Sequence, residues 1–480
     1  MSGALELERE LLAGMAALAA GQGAEDAAAW AALEREVRRP DGGAGPEAEW
    51  RLELASRQVR TLLLRRGHRL DERFQRSPDL AQERTLPGGA PLRHGYERSL
   101  PAEAVERALA ARSSAPPEGW ERTVLAFGSG MAALSQLVQA LAYLLAPTER
   151  RPLRVDFWGD YFETDLLLEY LSGATLLPRR LAPGRLAEAW AGPGAPEVLL
   201  LEPVRYNWAL DVLDVNALVN GWRRGPHRPP VVVLDTTLVS PAWPRAAVLK
   251  ALASPAGAPL VVEVRSGLKL DQQGLEVANL GVLEIHQHRS HTGGLTARRL
   301  AETLRLARAT AGQGLAAPAV AALDAPFLLD ETWTRRHAGQ VYRNNARLAE
   351  RLASSPRPLF RTVAHPALGS AAWRGQSPFV VVELREDALA DHGLLLAAIR
   401  HEVARRGLAA VYGNSFGFRT TRFETVVPRT ATGQGLFKLA AGSRGGPSLD
   451  LFCDLLLDIG DHQSMKDLRA TYDLAPVGLG

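Results

Sequence analysis

Only four of the 56 basic side chains in this 480-residue chain are lysines, at positions 250, 269, 438 and 466. On a surface lysine and arginine are nearly equivalent, but lysine alone readily gives up its proton and acts as an amine nucleophile. A lysine kept in an arginine-rich chain is a candidate for chemistry that arginine cannot do. Lys269 is the first such candidate: it ends the segment Val264-Arg-Ser-Gly-Leu-Lys269, just past a short apolar run. Upstream, Val231-Val-Val-Leu-Asp235 puts a carboxylate at the end of another apolar run. Further upstream, Phe127-Gly-Ser-Gly-Met-Ala-Ala133 joins a β-rich run to an amphipathic stretch. Free N–H groups at such a turn, at the positive end of a helix, make an anion seat. The turn lacks the Gly-Lys-Ser/Thr ending of a P-loop and does not fit the dinucleotide fingerprint. Taken singly, the turn reads as tight strand-to-helix packing and the Asp as a cap of its own turn.

The elements that must position these residues are legible in the middle of the chain. Thr123–Phe127, Val155–Phe157, Val198–Leu201, Val231–Leu234 and Leu260–Val264 are short β-rich runs, and helical stretches such as Met131–Ala146 alternate with them. Apolar strands separated by helices predict an α/β fold, a mixed but mostly parallel sheet with helices on both faces. In such a sheet ligands bind at the carboxyl edge. An anion seat, a strand-end carboxylate and a strand-end lysine along that edge are what pyridoxal 5'-phosphate requires. Its phosphate needs a cradle, its ring nitrogen an anion and its aldehyde an amine.

The flanking regions read as separate units. Residues 1–39 are rich in Ala, Leu and Glu and predict one or two helices, which Asp41-Gly-Gly-Ala-Gly-Pro46 then breaks. Leu52, Ala55, Val59, Leu62 and Leu63 recur at helical spacing. We read 1–93 as a helical extension with an irregular arm, 94–328 as the large domain, and 329–480 as a linking helix and a small C-terminal α/β domain. The small domain is expected to hold strands at Phe379–Leu384, Leu408–Tyr412 and Leu436–Ala441, with helices at Leu394–Arg406 and Leu449–Ile459. Residues 1–66 carry no cluster of catalytic groups, but their helical faces need a cover, so they are expected to serve assembly or partner docking.

The order of the motifs resembles the cysteine/methionine-metabolism family of fold-type I pyridoxal-phosphate enzymes: cystathionine γ-synthases, cystathionine lyases and methionine γ-lyases. The likeness runs from about Tyr96 to Ile459. Tyr96-Glu-Arg98 is similar to the family's Tyr-x-Arg, which implies side chains reaching the cofactor phosphate of a neighbouring subunit. Ser129-Gly-Met-Ala resembles its phosphate cradle, so Ser129, Gly130 and Met131 are expected at the cofactor. Tyr161 falls where the family has a tyrosine stacked on the cofactor ring, and Asn207, after Glu202-Pro, where an Asn bonds the ring hydroxyl. Asp235-Thr-Thr-Leu-Val-Ser-Pro241 is similar to Asp-Asn-Thr-x-x-Ser-Pro. Ser266-x-x-Lys269 resembles Ser-x-Thr-Lys, implying a phosphate-binding Ser266 and a Schiff-base Lys269. Asn345 and Ser415-Phe-Gly417 also fall where the family has counterparts.

Three departures bear on substrate. Leu268 stands where a phosphate-donating threonine usually precedes the lysine, and Asp271-Gln-Gln-Gly274 replaces a Gly-His stretch. Phe437-Lys-Leu-Ala-Ala-Gly442 aligns with a strand whose arginine clamps the substrate carboxylate, so Lys438 occupies the clamp position. Either Arg419, Arg422 or Arg444 supplies the clamp, or the substrate carboxylate is held differently or is not free. Trp208, beside Asn207, is expected at the wall of the active site.

The resemblance implies a lyase or transferase that eliminates or replaces a β or γ substituent on a sulfur-containing or homoserine-derived amino acid. Lys269 and Tyr161 would be catalytic, and Ser415 and Lys438 would contact substrate. It also implies a homodimer or homotetramer with active sites shared between subunits. The alternative is a non-catalytic relative that keeps the fold as a scaffold or regulatory partner. Other classes fit poorly. A net charge of +3 without a dense basic block does not suit a nucleic-acid track. No apolar run reaches the roughly 20 residues of a bilayer span. Glu6, Glu8 and Glu10 are the wrong sign for a secretory start, and the single cysteine, Cys453, excludes a disulfide framework. A cytoplasmic protein is expected. His286, His288 and His291 are read as part of a solvent-facing or inter-subunit loop rather than a metal site.

Overall fold

The computed structural model describes residues 2–22, 26–39, 45–100, 102–145, 151–190, 196–254, 257–369, 376–427 and 435–479. Residues 41–44 of the helix-breaking turn expected over 41–46, and the end of the expected helix at Ala146, lie outside them.

Helices α1 (Ser2–Ala20), α2 (Ala27–Arg38) and α3 (Pro46–Glu72) come first, then a hairpin of β1 (Gln82–Thr85) and β2 (Pro91–His94) and helix α4 (Glu103–Ala111). The large domain continues through β3 (Trp120–Phe127), α5 (Gly130–Leu145), β4 (Leu153–Trp158), α6 (Phe162–Tyr170), β5 (Leu176–Arg180) and β6 (Val198–Leu201). Next are α7 (Val215–Arg224), β7 (Val231–Asp235), α8 (Arg245–Leu252), β8 (Leu260–Ser266), β9 (Gly281–His288), α9 (Ala297–Ala311) and α10 (Ala317–Leu323). Among the described residues seven strands form its sheet, in the order β3-β9-β8-β7-β6-β4-β5. From β8 across to β5 neighbours are parallel, and only β9 runs against both its partners. The expected mixed, mostly parallel sheet is thus found. The physical cause is visible strand by strand: every residue of β6, and Val231–Leu234 of β7, is buried, as strands covered on both faces must be.

Long helix α11 (Glu331–Ala353), capped by Asp330 on the amides of Thr332 and Trp333, leads to the small domain. There β10 (Phe360–Ala364), β11 (Val380–Leu384), α12 (Leu389–Arg406), β12 (Ala410–Tyr412), β13 (Thr421–Val426) and β14 (Leu436–Ala440) precede α13 (Pro447–Gly460) and α14 (Met465–Tyr472). The sheet order is β10-β11-β14-β13-β12, antiparallel except for the pair β12–β13. Strand alternation decides what faces the large domain. Phe437 and Leu439 point into the small-domain core, while Leu436 and Ala440 join the core beneath the large sheet. Lys438 shares the second face by its period of two.

The N-terminal helices are not left looking for a partner. Leu12, Met15, Ala16, Trp30, Val59 and Leu63 are buried in one core with Phe327, Leu328, Val320 and Leu280 of the large domain. Each such large side chain contributes about 1.5–3 kcal/mol on burial. The chain itself supplies the cover that those faces require. Among the described residues no helix is long and apolar enough to cross a membrane.

Candidate active site

Three loops at the carboxyl ends of β3, β7 and β8 meet over one cavity of about 360 Å³. After β3 the chain turns through Ser129 into α5. Ser129 Oγ accepts from the Ala132 amide at 3.0 Å and its carbonyl from the Ala133 amide at 3.0 Å. The amides of Gly130 and Met131 open the helix and have no intrahelical acceptor, so they are free for an anion. Glycine is required here. A Cβ on Gly130 would lie 3.1 Å from both Cα and Cβ of Ser266, filling the space between the turn and the end of β8.

Asp235 ends β7 and its Oδ1 accepts from the Thr237 amide at 3.0 Å. Thr237 Oγ1 in turn accepts from the Ser266 amide at 3.0 Å, which locks the ends of β7 and β8 together. Burial raises the Asp235 pKa, against the opposing pull of Thr237 and of the Lys269 charge. Lys269 follows in a tight turn held by Gly274 N–H to its carbonyl at 3.0 Å. The glutamines that replace the Gly-His stretch fix this turn. Gln272 accepts from the amides of Val277 and Ala278 at 2.7 and 3.0 Å and donates to the carbonyls of Gly267 and Ala278. The Lys269 ammonium lies 4.8 Å from the centre of the Phe416 ring. Burial, and after it the charge of Lys438, holds Lys269 below the usual lysine range, with Asp235 opposing.

Ser129, Gly130, Met131, Tyr161, Asp235, Ser266 and Lys269 all line the cavity. The other expected residues lie elsewhere. Tyr96, 45% exposed, and Arg98 sit at a short turn over Glu97–Ser99, with the guanidinium 5.2 Å from the tyrosine ring. Asn207 does not line the cavity: its amide donates to Asp160 at 2.8 Å and Asp211 at 2.9 Å. Trp208 is also outside it, donating to the Gly435 carbonyl at 3.4 Å. Asn345 ties α11 to the end of β14 through both backbone groups of Ala441 at 2.9 Å.

Lys438 is buried and ion-paired with Glu424, and it donates to Tyr206 Oη at 3.1 Å. Burial opposes its charge, but Tyr206 and Glu424 outweigh that and hold it above its usual range. Glu424 is itself held by the Ser415 amide at 3.0 Å, with Ser415 in the left-handed region at φ 76°. Ser415 and Lys438 therefore stand behind the wall formed by Tyr206 and Phe416, outside the lining. The candidate arginines are also occupied: Arg419 by Glu8 at 2.8 Å, Arg444 by Glu53 at 3.1 Å and Arg422 by Glu276 at 3.1 Å. The histidine motif is not a solvent-facing loop. His286 is fully buried on β9 between Glu263 and Glu284, and His291 bonds the carbonyls of Ala258 and Leu295.

Sequence reasoning overlooked Glu163, Glu202, Tyr206, Thr237, Asn279 and Phe416 as lining residues. Glu202, Thr237 and Phe416 lie inside the quoted motifs, Glu163 and Tyr206 sit two and one residues from Tyr161 and Asn207, and nothing along the chain marked Asn279. Tyr161 Oη donates to Glu163 at 2.6 Å. Glu202 accepts from the amides of Asp160 and Tyr161, both at 3.0 Å, yet burial pushes its pKa up to about 8.

No known family model matches the sequence, and no curated protein is recognisably similar to it. Solved structures are similar in fold. A methionine γ-lyase from Micromonospora echinospora, CalE6, superposes with TM-score 0.53 at 22% identity, covering 76% of this chain and 87% of its own. MetB from Corynebacterium glutamicum gives 0.54 at 17%, covering 76% and 86%. Serine palmitoyltransferase from Sphingomonas wittichii gives 0.50 at 15%, covering 86% and 84%. The fold is that of the fold-type I pyridoxal-phosphate enzymes. The donor set at the sheet edge suits that cofactor: free helix-start amides with the Ser266 hydroxyl for a phosphate, a buried carboxylate for a ring nitrogen, and a lysine on the same cavity.

Proposed function

We propose that this protein is a pyridoxal-phosphate-dependent enzyme that eliminates or replaces a β or γ substituent on an amino-acid-derived substrate of the sulfur-containing or homoserine type. The observation that carries the reading is the convergence of Lys269, Asp235 and the Gly130 turn on one cavity. When bound, the cofactor supplies an electron sink for negative charge on the carbon beside the substrate amine. Gly130, Met131 and Ser266 would hold its phosphate, and Asp235 its ring nitrogen in the protonated form. Lys269 Nζ, its proton affinity lowered by burial, is suited to take a proton from that carbon and return it. Tyr161 is placed in the wall, its hydroxyl oriented by Glu163. Tyr96 and Arg98 lie outside this chain's own cavity, which suits a homodimer or homotetramer in which they reach the phosphate site of a neighbouring subunit.

Reconstitution with pyridoxal 5'-phosphate should give a Schiff-base absorbance band near about 420 nm that Lys269→Ala lacks. A folded wild-type protein that never shows the band sinks the reading. Release of thiol or ammonia from cysteine, homocysteine, methionine and O-acyl-homoserine, and from their amides, tests the reaction class.

A further inference from the structure

An α-amino acid brings its reacting carbon with a carboxylate attached, and a carboxylate taken out of water needs a cation or a set of donors in reach. Among the described residues two cations line the cavity, Lys269 and Arg265. Lys269 is the reacting amine in the proposed function. Arg265 is spent on Asp271 at 3.1 Å and Glu284 at 2.6 Å, with 4% of its side chain exposed. The cations just behind the wall are equally committed. Lys438 faces Glu424, Arg205 pairs with Asp160 at 2.6 Å, and Arg419 and Arg444 are neutralised by Glu8 and Glu53 of the N-terminal helices.

The charge left over is of the opposite sign. Among the described residues the carboxyl groups lining the cavity are those of Glu163, Glu202 and Asp235, and burial keeps Glu202 largely protonated at neutral pH, its pKa pushed up to about 8. Asp235 has its place under the ring nitrogen, and Glu202 is tied to two backbone amides. Glu163 has no such assignment. Its side chain accepts from Tyr161 Oη at 2.6 Å, and it makes no ion pair among the described residues. An acidic lining of this kind favours a neutral or positively charged group beside the reacting carbon and opposes a second negative one.

We propose that the site is built for an amine that carries no free carboxylate on its reacting carbon. Glu163, held in the wall by Tyr161, is its specificity-determining residue. The group in place of the carboxylate is an amide, whose N–H can donate to Glu163, or an uncharged ester or hydrogen, which Glu163 does not repel as it would a carboxylate. This rests on the pyridoxal-phosphate reading and sharpens it.

Three probes test the inference on the cofactor-loaded protein: methionine, methionine amide and the corresponding decarboxylated thioether amine. Binding is read from the change in the visible band and by calorimetry. The amide or the amine should bind at least about tenfold more tightly than methionine, and the stronger of the two tells whether the carboxyl is masked or absent. Glu163→Gln should raise methionine affinity by about tenfold and leave the amide within about twofold. Methionine binding as tightly as both other probes in the wild type overturns the proposal. So does a Glu163→Gln protein in which the preference is unchanged. A protein that never forms the band fails at the earlier step, and that failure is seen before any probe is added.

Discussion

Glu8 on α1 and Arg419 of the small domain, 411 positions apart, meet through Oε1 and Nη1 at 2.8 Å, with 3% and 2% of their side chains exposed. Arg444 completes the cluster, donating to Glu53 at 3.1 Å, and Glu49 accepts from the Ser448 amide at 3.0 Å. The N-terminal helices therefore act as an internal strut under the small domain. The strut reaches the segment that carries Ser415 and Phe416.

Removing one partner of a buried ion pair leaves an uncompensated charge, which costs about 3–5 kcal/mol. Glu8→Ala should lower stability by that amount in urea denaturation, and Glu8→Leu combined with Arg419→Met should recover most of it. The cluster also sets an acid limit. Arg444 and its hydrogen bonds hold Glu53 down at about 2 despite burial, and Glu8 is lowered by Arg419 and Arg444 in the same way. Depressed carboxyl groups stabilise fully above their unfolded values, near about 4.3. That stability is lost as pH falls towards about 2. A Glu8→Ala protein as stable as wild type at neutral pH would show the pair to be idle.

The Gly130 turn makes a sharper claim about the cofactor. Gly130→Ala should fold, because α5 tolerates alanine, but its Cβ would crowd Ser266 at 3.1 Å in the space that a phosphate would use. Cofactor affinity should fall by about tenfold or more, the loss of at least one charge-assisted bond. Titration of the visible band measures it. Undiminished affinity would place the anion seat elsewhere.

The large sheet was legible because its strands are buried on both faces and read as unbroken apolar runs. The same pattern hid β5, whose Leu176–Arg180 is mostly exposed, and β13, whose Thr421–Val426 mixes charge with apolar residues. The cavity-lining positions were legible because a turn, a strand-end Asp and a strand-end Lys have fixed places in such a fold. The substrate side was not. Whether Lys438 is a clamp or half of an ion pair depends on Glu424, one strand away, and no spacing along the chain reports that. The contacts of the extension were hidden for the same reason: its acidic residues find their arginines only after folding.

Glu202 predicts a pH dependence of the opposite sign to the acid limit. Its folded value, pushed up to about 8 by burial and then by Asp235, lies above that of an unfolded glutamate. A raised carboxyl stabilises the fold while protonated, so its contribution is complete below about pH 4.3 and is lost as pH rises towards about 8. Glu202→Gln keeps an acceptor for one of the two amides, of Asp160 or Tyr161, and turns an NH2 towards the other, a cost that does not change with pH, so it should remove that loss. Its stability relative to wild type should rise by a few kcal/mol, on the order of 3, between pH 5 and 8. Parallel stability curves for the two proteins across that range would contradict the assignment.

Lys438 gives the last test, because it touches both stability and the reactive amine. Lys438→Met strands Glu424 without its partner and should cost about 3–5 kcal/mol, while Lys438→Met with Glu424→Leu should regain most of it. The charge of Lys438 is also, after burial, the largest influence lowering the Lys269 pKa. Its removal should move that pKa upward, so Schiff-base formation with added pyridoxal 5'-phosphate should become fast only at higher pH. A rate profile displaced upward in the double variant, which is free of the stability defect, separates the electrostatic effect from unfolding. A profile that does not move would mean that the aromatic wall of Tyr206 and Phe416 insulates the two ammonium groups from each other.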